Sequence, residues 1–304
     1  MNTISTEAVQ GRPAAGLGAG TSPMGTERSR LLGNLGSWGL LSLGGIIMLV
    51  PFLWMVLMSF KSLDEVYTFP PQILPNQFLF SNYAEVWDQV PVARFFSNSA
   101  TVAISATLGV LLTSSLGGYS FARIDYPGRN TIFLLYLSTM MIPFAVIMIP
   151  LFVQMRMLGW INSLYALIVP GLFSAWGTFL MRQFMMGIPK ELEEAAEIDG
   201  CGHFRIYSTI IMPLCKPVLA TLAIFTFMGF WNDFLWPLIV ISSRDLKTLP
   251  LGLAGFQQKV ALNTPWHLVM ALAVVSVLPI LLIFIIGQKY YVRGIVTSGL
   301  KGAA

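Results

Sequence analysis

What this chain lacks narrows its class before any motif is considered. Only 11% of the 304 residues are charged, 18 basic and 14 acidic, where a water-soluble domain carries about 25%. With 55% hydrophobic residues and a mean hydropathy of +0.71, so little charge leaves large apolar patches bare in water, and lipid is the solvent that suits them. Histidine is limited to His203 and His267. There is no His-Glu-x-x-His motif, no Ser/His pair and no paired intramembrane Asp, so the residues for chemistry inside a membrane are missing. No catalytic residue, metal or cofactor is therefore expected. No Walker A loop is present, so ATP is not expected to bind this chain itself. The net charge of +4 comes without a basic cluster interleaved with aromatics, which argues against nucleic acid as a partner. The two cysteines, Cys201 and Cys215, share one polar loop at a spacing that suits no zinc site, and are expected as reduced thiols.

What is there is apolar sequence in long runs. Residues 1–30 are a Gly-, Ala-, Ser- and Thr-rich stretch without hydrophobic period, expected as a disordered tail. Residues 31–304 then form one membrane domain. Six runs reach the roughly 20 residues that cross a hydrocarbon core as a helix: Trp38 to Phe60, Ser99 to Phe121, Thr131 to Val153, Leu164 to Phe184, Pro217 to Ile241 and Leu268 to Gly287. The first is too long for a signal-peptide core and lacks a cleavage site after it. Barrel-like alternation is absent, so the predicted fold is all-α with six transmembrane helices. With the amino terminus inside, twelve Lys and Arg fall on inner segments against six on outer ones, which places both termini in the cytoplasm. His203 and His267 then lie on opposite sides and cannot share a metal. Pro51, Pro143, Pro150, Pro170, Pro237 and Pro279 fall within the runs, where proline frees a carbonyl and bends a helix.

Two places stand out. Asp233 is the one acidic residue well inside a predicted span, and intramembrane ionisable groups face a cavity or a partner. With Trp231, Asn232 and Trp236 beside it, aromatic faces and hydrogen-bonding groups suited to a sugar converge. The same residues also fit a structural Asp with interfacial Trp anchors. The second place is the loop from about residue 187 to 213. Pro189 suits a first helical position, and Glu191, Glu193 and Glu194 suit the positive end of a helix dipole. Gly200 suits a helix end at positive φ. A second short helix is predicted from His203 to about Met212, with Phe204, Tyr207, Ile210 and Ile211 as its apolar face and Pro213 and Pro217 separating it from the fifth run. Leu192, Ala195, Ala196 and Asp199 recur at helical spacing on the first helix, where two alanines leave a shallow surface. Such a helix pair is either a docking surface for another protein or an amphipathic element lying on the membrane.

This loop resembles the Glu-Ala-Ala coupling loop of ABC importer permeases. Glu194-Ala195-Ala196, Gly200, Ile210, Met212 and Pro213 keep the family spacing, with Met212 where leucine is usual, a volume-conserving change. Met58-Ser59-Phe60-Lys61, Trp231-Asn232-Asp233 with Trp236-Pro237, and Tyr291-Val292-Arg293-Gly294 with Gly299 and Lys301-Gly302 resemble the carbohydrate-uptake branch, as in the smaller permease of maltose-type importers. The resemblance covers about residues 35 to 302. It implies the type I importer permease fold in the bacterial inner membrane, a second homologous permease, two ATPase subunits that hydrolyse the ATP, and an extracytoplasmic solute-binding protein facing the segment 242–267 with Phe256, Gln257, Gln258 and Trp266. It also implies that Glu194 pairs with a basic residue of an ATPase subunit, that Ala195 and Ala196 let the helix seat closely, and that Gly200 sets the angle between the two helices. The cargo so implied is a sugar or oligosaccharide, with a polyol or glycerol phosphate as the alternative. An ion-coupled secondary transporter would be expected to hold several buried ionisable residues.

Overall fold

In a computed structural model, residues 24–258 and 264–299 are described, with side chains for 37–255 and 264–288. Most of the expected tail, residues 1–23, lies outside these, as do Lys301 and Gly302, and the side chains of Phe256, Gln257, Gln258, Tyr291, Val292 and Arg293. The described residues divide into two units between Phe52 and Leu53. In the first, α1 (Met24–Met58) begins inside the stretch expected to be tail and keeps Pro51 within the helix.

The second unit is a helical bundle. After α2 (Leu63–Tyr67) and α3 (Ser81–Gln89) comes α4 (Val92–Arg123), the helix around which the rest is arranged. The third apolar run is not one helix. It divides into α5 (Arg129–Ser138), a 3-10 turn at Thr139–Met141, and α6 (Phe144–Met157), with a bend of 97°. Pro143 causes this, because it lacks an N–H and pushes its predecessor out of the helical region; Ile142 is extended, with ψ 115°. The fourth run is likewise split into α7 (Tyr165–Ile168), a 3-10 turn holding Pro170, and α8 (Ala175–Met186). Helix α8 restarts at Ser174, whose Oγ accepts the Gly177 N–H at 3.0 Å as an N-cap.

Next come α9 (Glu191–Ile198) and α10 (His203–Ile206), which passes through a π turn at Tyr207–Ile211 into α11 (Met212–Leu214). The fifth run is α12 (Lys216–Trp231) and α13 (Leu235–Val240). Pro237 accounts for the break, since its ring clashes with the carbonyl four residues back, that of Asp233, and offers it no donor. The segment 242–267 contains α14 (Leu249–Gln258), with Leu249 and Leu251 buried. It is held to α4 by Asn98, which donates to the Asp245 and Lys247 carbonyls, and by Ser99 Oγ, which accepts the Leu249 N–H at 2.7 Å. Helix α15 (Trp266–Gly299) retains Pro279. Three helices among the described residues are long and apolar enough to cross a membrane alone, and two bent pairs raise this to five. Against the six transmembrane helices expected, the described residues thus give up to five candidate spans; prolines 143, 170 and 237 break their runs, as the bending expected of proline allows, whereas 51, 150 and 279 stay within helices.

Helix α4 packs along α8 and α12, and α12 along α15. Close approach of α4 and α8 depends on small residues, the usual device where lipid supplies no hydrophobic drive. Ser114, Gly117 and Gly118 on α4 face Gly177, Thr178 and Met181 on α8. Between Ser59 and Phe80 the chain is fastened at its two ends, where Asn82 Nδ2 donates to the carbonyls of Ser59 (2.9 Å) and Lys61 (2.8 Å).

Candidate functional site

The first site is the helix pair α9–α10. Glu191, Glu193 and Glu194 occupy the first turn of α9, where carboxylates complement the dipole. Its end is a Schellman motif: Gly200 lies at φ +79°, its N–H reaches the Glu197 carbonyl at 2.9 Å, and the Cys201 N–H reaches the Ala196 carbonyl at 2.9 Å. The next helix runs on through Pro213 and stops at Cys215. The π turn makes this possible by shifting the bonding register, with the Met212 N–H on the Tyr207 carbonyl. From Leu214 to Lys216 the direction changes by 78° into α12.

The two alanines of the motif face opposite ways. Ala196 is buried, packed with Tyr119, Met181, Met185, Ile206, Tyr207 and Ile211, so its small size lets α9 lie close on its own bundle. Ala195 is exposed, together with Glu194 and Asp199. Leu192, Ile198 and Phe204 are also exposed, the last two at 86% and 76%. Of the apolar face expected on the second helix, Tyr207 and Ile211 are buried together with Ile206, while Phe204 is turned outward. Ile210 is half-buried and Pro213 exposed.

Beneath the pair, polar groups fasten it to the bundle. Tyr207 and Ser115 share a buried hydroxyl–hydroxyl hydrogen bond of 2.8 Å between α10–α11 and α4. Arg123, the last residue of α4, pairs with Glu193 at 2.9 Å and donates to the carbonyls of Met185 and Ile188. Burial pushes the Glu193 carboxyl above the usual range, and the Arg123 guanidinium pulls it back. Arg182 on α8 reciprocates, donating to the Phe121 carbonyl of α4 at 3.1 Å and lying 4.2 Å from the Phe133 ring. Sequence reading missed both arginines as parts of a site. Their signal was position: each stands at the end of an apolar run, where a cation meets the negative end of a helix.

The second site is a cleft at the break of the fifth run. A volume of about 550 Å³ is lined by Phe173, Ser174, Trp176, Phe225, Thr226, Phe230 and Asp233, and a neighbouring one of about 320 Å³ by Phe144, Leu151, Phe230, Asp233 and Trp236. Asp233 faces both. Trp176 and Phe225 meet edge to face at 5.9 Å along the larger volume. No Lys, Arg or His is among the described residues lining either one.

Of the four residues expected together here, the structure unites Asp233 and Trp236. Trp231 is 2% exposed and turns into the core, donating to the Ser276 carbonyl at 3.1 Å and stacking on Phe227 at 5.5 Å. Asn232 is exposed and bonds back to the Met228 carbonyl of its own helix at 3.0 Å. Even Trp236 spends its indole N–H on the Ala166 carbonyl, at 2.8 Å. Trp176, Phe225 and Phe230 were not singled out from sequence, because aromatic residues are ordinary in apolar runs and only the packing of α8 against α12 brings them to one cleft.

Comparison with known proteins places these features in a lineage. Residues 109–297 match the family model described as "Binding-protein-dependent transport system inner membrane component". The chain is 36% identical over 273 residues to an arabinooligosaccharides transport system permease protein, AraQ, of Halalkalibacterium halodurans, covering 88% of this chain and 97% of that protein. It is 33% identical to the diacetylchitobiose uptake system permease protein NgcG of Streptomyces coelicolor, covering 86% and 87%. Its fold is shared with a solved chain of a bacterial ABC transporter involved in the import of the acidic polysaccharide alginate, with TM-score 0.77, 24% identity, and 87% and 98% coverage.

Proposed function

The chain belongs to the family of binding-protein-dependent transport system inner membrane components, and from that premise we propose that it forms half of the translocation path of an ABC importer for a sugar or oligosaccharide. In this reading the chain crosses the membrane six times, three of the crossings broken at proline. Both termini and the α9–α10 pair lie in the cytoplasm. A second homologous permease completes the path, two ATPase subunits grip the permease pair, and an extracytoplasmic binding protein delivers the solute.

One observation carries this reading. The α9–α10 pair is fastened on one side and bare on the other, where Glu194, Ala195, Leu192, Ile198 and Phe204 are exposed. Exposed apolar side chains beside the carboxylates of Glu194 and Asp199, with a small residue for close approach, suit a protein partner better than water. ATP binding would close the ATPase dimer, draw the seated pair with it, and rock the attached helices as rigid bodies toward an outward-open path. Solute-loaded binding protein would bias the same equilibrium from the other side. Replacing Glu194 by Lys should weaken the hold on the ATPase subunit about ten-fold or more and abolish uptake at normal membrane expression. Unaltered uptake and co-purification in this variant would reject the docking role.

The cleft around Asp233 supports a neutral cargo. A lone carboxylate among aromatic faces can accept sugar hydroxyls and stack on pyranose rings, but it repels a phosphate or carboxylate that meets no cation. This favours a neutral sugar over glycerol phosphate. Asp233→Ala is expected to lower maximal uptake about ten-fold, as for loss of a hydrogen bond to a charged group. Asn232→Ala should leave uptake unchanged, since that amide serves its own helix. Equal uptake by both variants would remove Asp233 from the path. An ion-coupled transporter gains little support from a single intramembrane acid.

A further inference from the structure

Arg123 occupies a place that packing alone does not explain. Its side chain is 4% exposed and that of Glu193 is 12%, and a buried charge is tolerated only when paired and hydrogen-bonded. Two carbonyl acceptors and one carboxylate, from two other segments, converge on one guanidinium, the carboxylate as an ion pair between Glu193 Oε1 and Arg123 Nε at 2.9 Å. The Met185 and Ile188 carbonyls belong to the last turn of α8 and the residues just after it, where carbonyls lack the regular helical partner four residues on, although that of Met185 also accepts the Ile188 N–H at 3.0 Å. The Glu193 carboxylate belongs to the first turn of α9. The planar fork of arginine can span such a set, whereas the point charge of lysine cannot. Arg123 therefore sets the angle between α8 and α9 and ties both to the end of α4. On the other helix of the pair, Tyr207 is held to Ser115 of the same α4. Both helices of the bare docking face are thus fastened to one long helix by buried polar contacts.

We infer that Arg123, through its ion pair with Glu193 and its bonds to the Met185 and Ile188 carbonyls, is the positioning residue that makes α9 and α4 move as one body, so that displacement of the docked pair reaches the translocation path. This rests on the docking role of the α9–α10 pair. Arg123 touches neither ATP nor cargo. Its loss should leave the ATPase subunits bound while the stroke dissipates in the joint.

The test uses the assembled importer in nanodiscs, with solute-loaded binding protein. Arg123→Gln is expected to retain assembly and basal ATP hydrolysis within about two-fold, while solute moved per ATP falls about ten-fold. A fold defect would lower all three together. Spin labels at Glu197→Cys on α9 and Leu116→Cys on α4, with Cys201 and Cys215 replaced, report the joint directly. With Arg123 in place, one narrow distance is expected that is the same with and without ATP; in Arg123→Gln the distribution should broaden or shift when ATP binds. Glu193→Gln is isosteric and keeps the carbonyl bonds, so it should assemble and lose part of the ratio, which decides the matter if Arg123→Gln does not assemble. An unchanged transport-to-ATP ratio, or a label distance indifferent to both substitutions, overturns the inference. Failure of the docking role is seen separately, as intact uptake and ATPase binding in Glu194→Lys.

Discussion

Gly118→Val should remove the folded permease from the membrane, with Gly118→Ala already measurably unstable. A Cβ at Gly118 would lie 2.6 Å from Met181 Cβ and 3.0 Å from the backbone nitrogen of Arg182. These atoms belong to the body of α8, not to the tip of a flexible side chain, so the two helices must separate to admit it. The same contact line contains Gly177, where a Cβ would meet Ser114 Oγ at 2.5 Å. Overpacking a tight contact costs about 1–3 kcal/mol for small additions, a large share of a total stability of about 5–15 kcal/mol. The separation would also strain the reciprocal bonds of Arg123 and Arg182 at the ends of α4 and α8. Size-exclusion profiles and melting temperatures of the detergent-extracted protein should rank Gly, Ala, Val in that order. As a control, Gly229 has nothing within 4 Å of its added Cβ, and Gly229→Ala should melt like the parent. A wild-type melting curve for Gly118→Val would mean that α4 and α8 do not approach this closely.

The second large effect is expected at Gly200, and it should follow backbone conformation, not size. An added Cβ there meets nothing within 4 Å, yet φ is +79°. Left-handed backbone costs an ordinary L-residue about 1–2 kcal/mol, and asparagine less. Asn and Leu side chains share the same branched heavy-atom shape, and the added atoms at this position meet open space. Transport-linked ATP hydrolysis should survive in the Asn variant and fall strongly in the Leu variant, because strain at the Schellman turn is relieved by reorienting α9 against α10. Equal activity of the two variants would show that the angle between these helices is not what this glycine maintains.

Several elements were legible in the residue order because their determinants are local. Six apolar runs, the acidic first turn of α9 and the positive φ at Gly200 follow from hydropathy, helix dipoles and the missing Cβ. Legibility failed where the determinant was a neighbour distant in sequence. Ala195 and Ala196 are chemically identical, and only the packing of Tyr207 and Met185 decides that one is buried and the other bare. Trp231 and Trp236 sit in one short motif, yet the break imposed by Pro237 sends the first to Ser276 and the second to Ala166. Prolines 51 and 143 look alike in a hydropathy trace; one stays within a helix and the other marks a 97° turn.

By itself, then, the residue order determined that this chain belongs in lipid, that it is built of helices, and that a turn-punctuated acidic helix pair interrupts the apolar runs. These are properties of composition and of spacing along a few turns, where each residue acts on its immediate neighbours. Only the tertiary structure decided which side of that pair is anchored and which is free, that Arg123 joins it to α4, and that Asp233 shares a cleft with Trp176 and Phe230 while Asn232 does not. Those outcomes depend on close approach and buried charge between segments tens of residues apart, which no local pattern encodes.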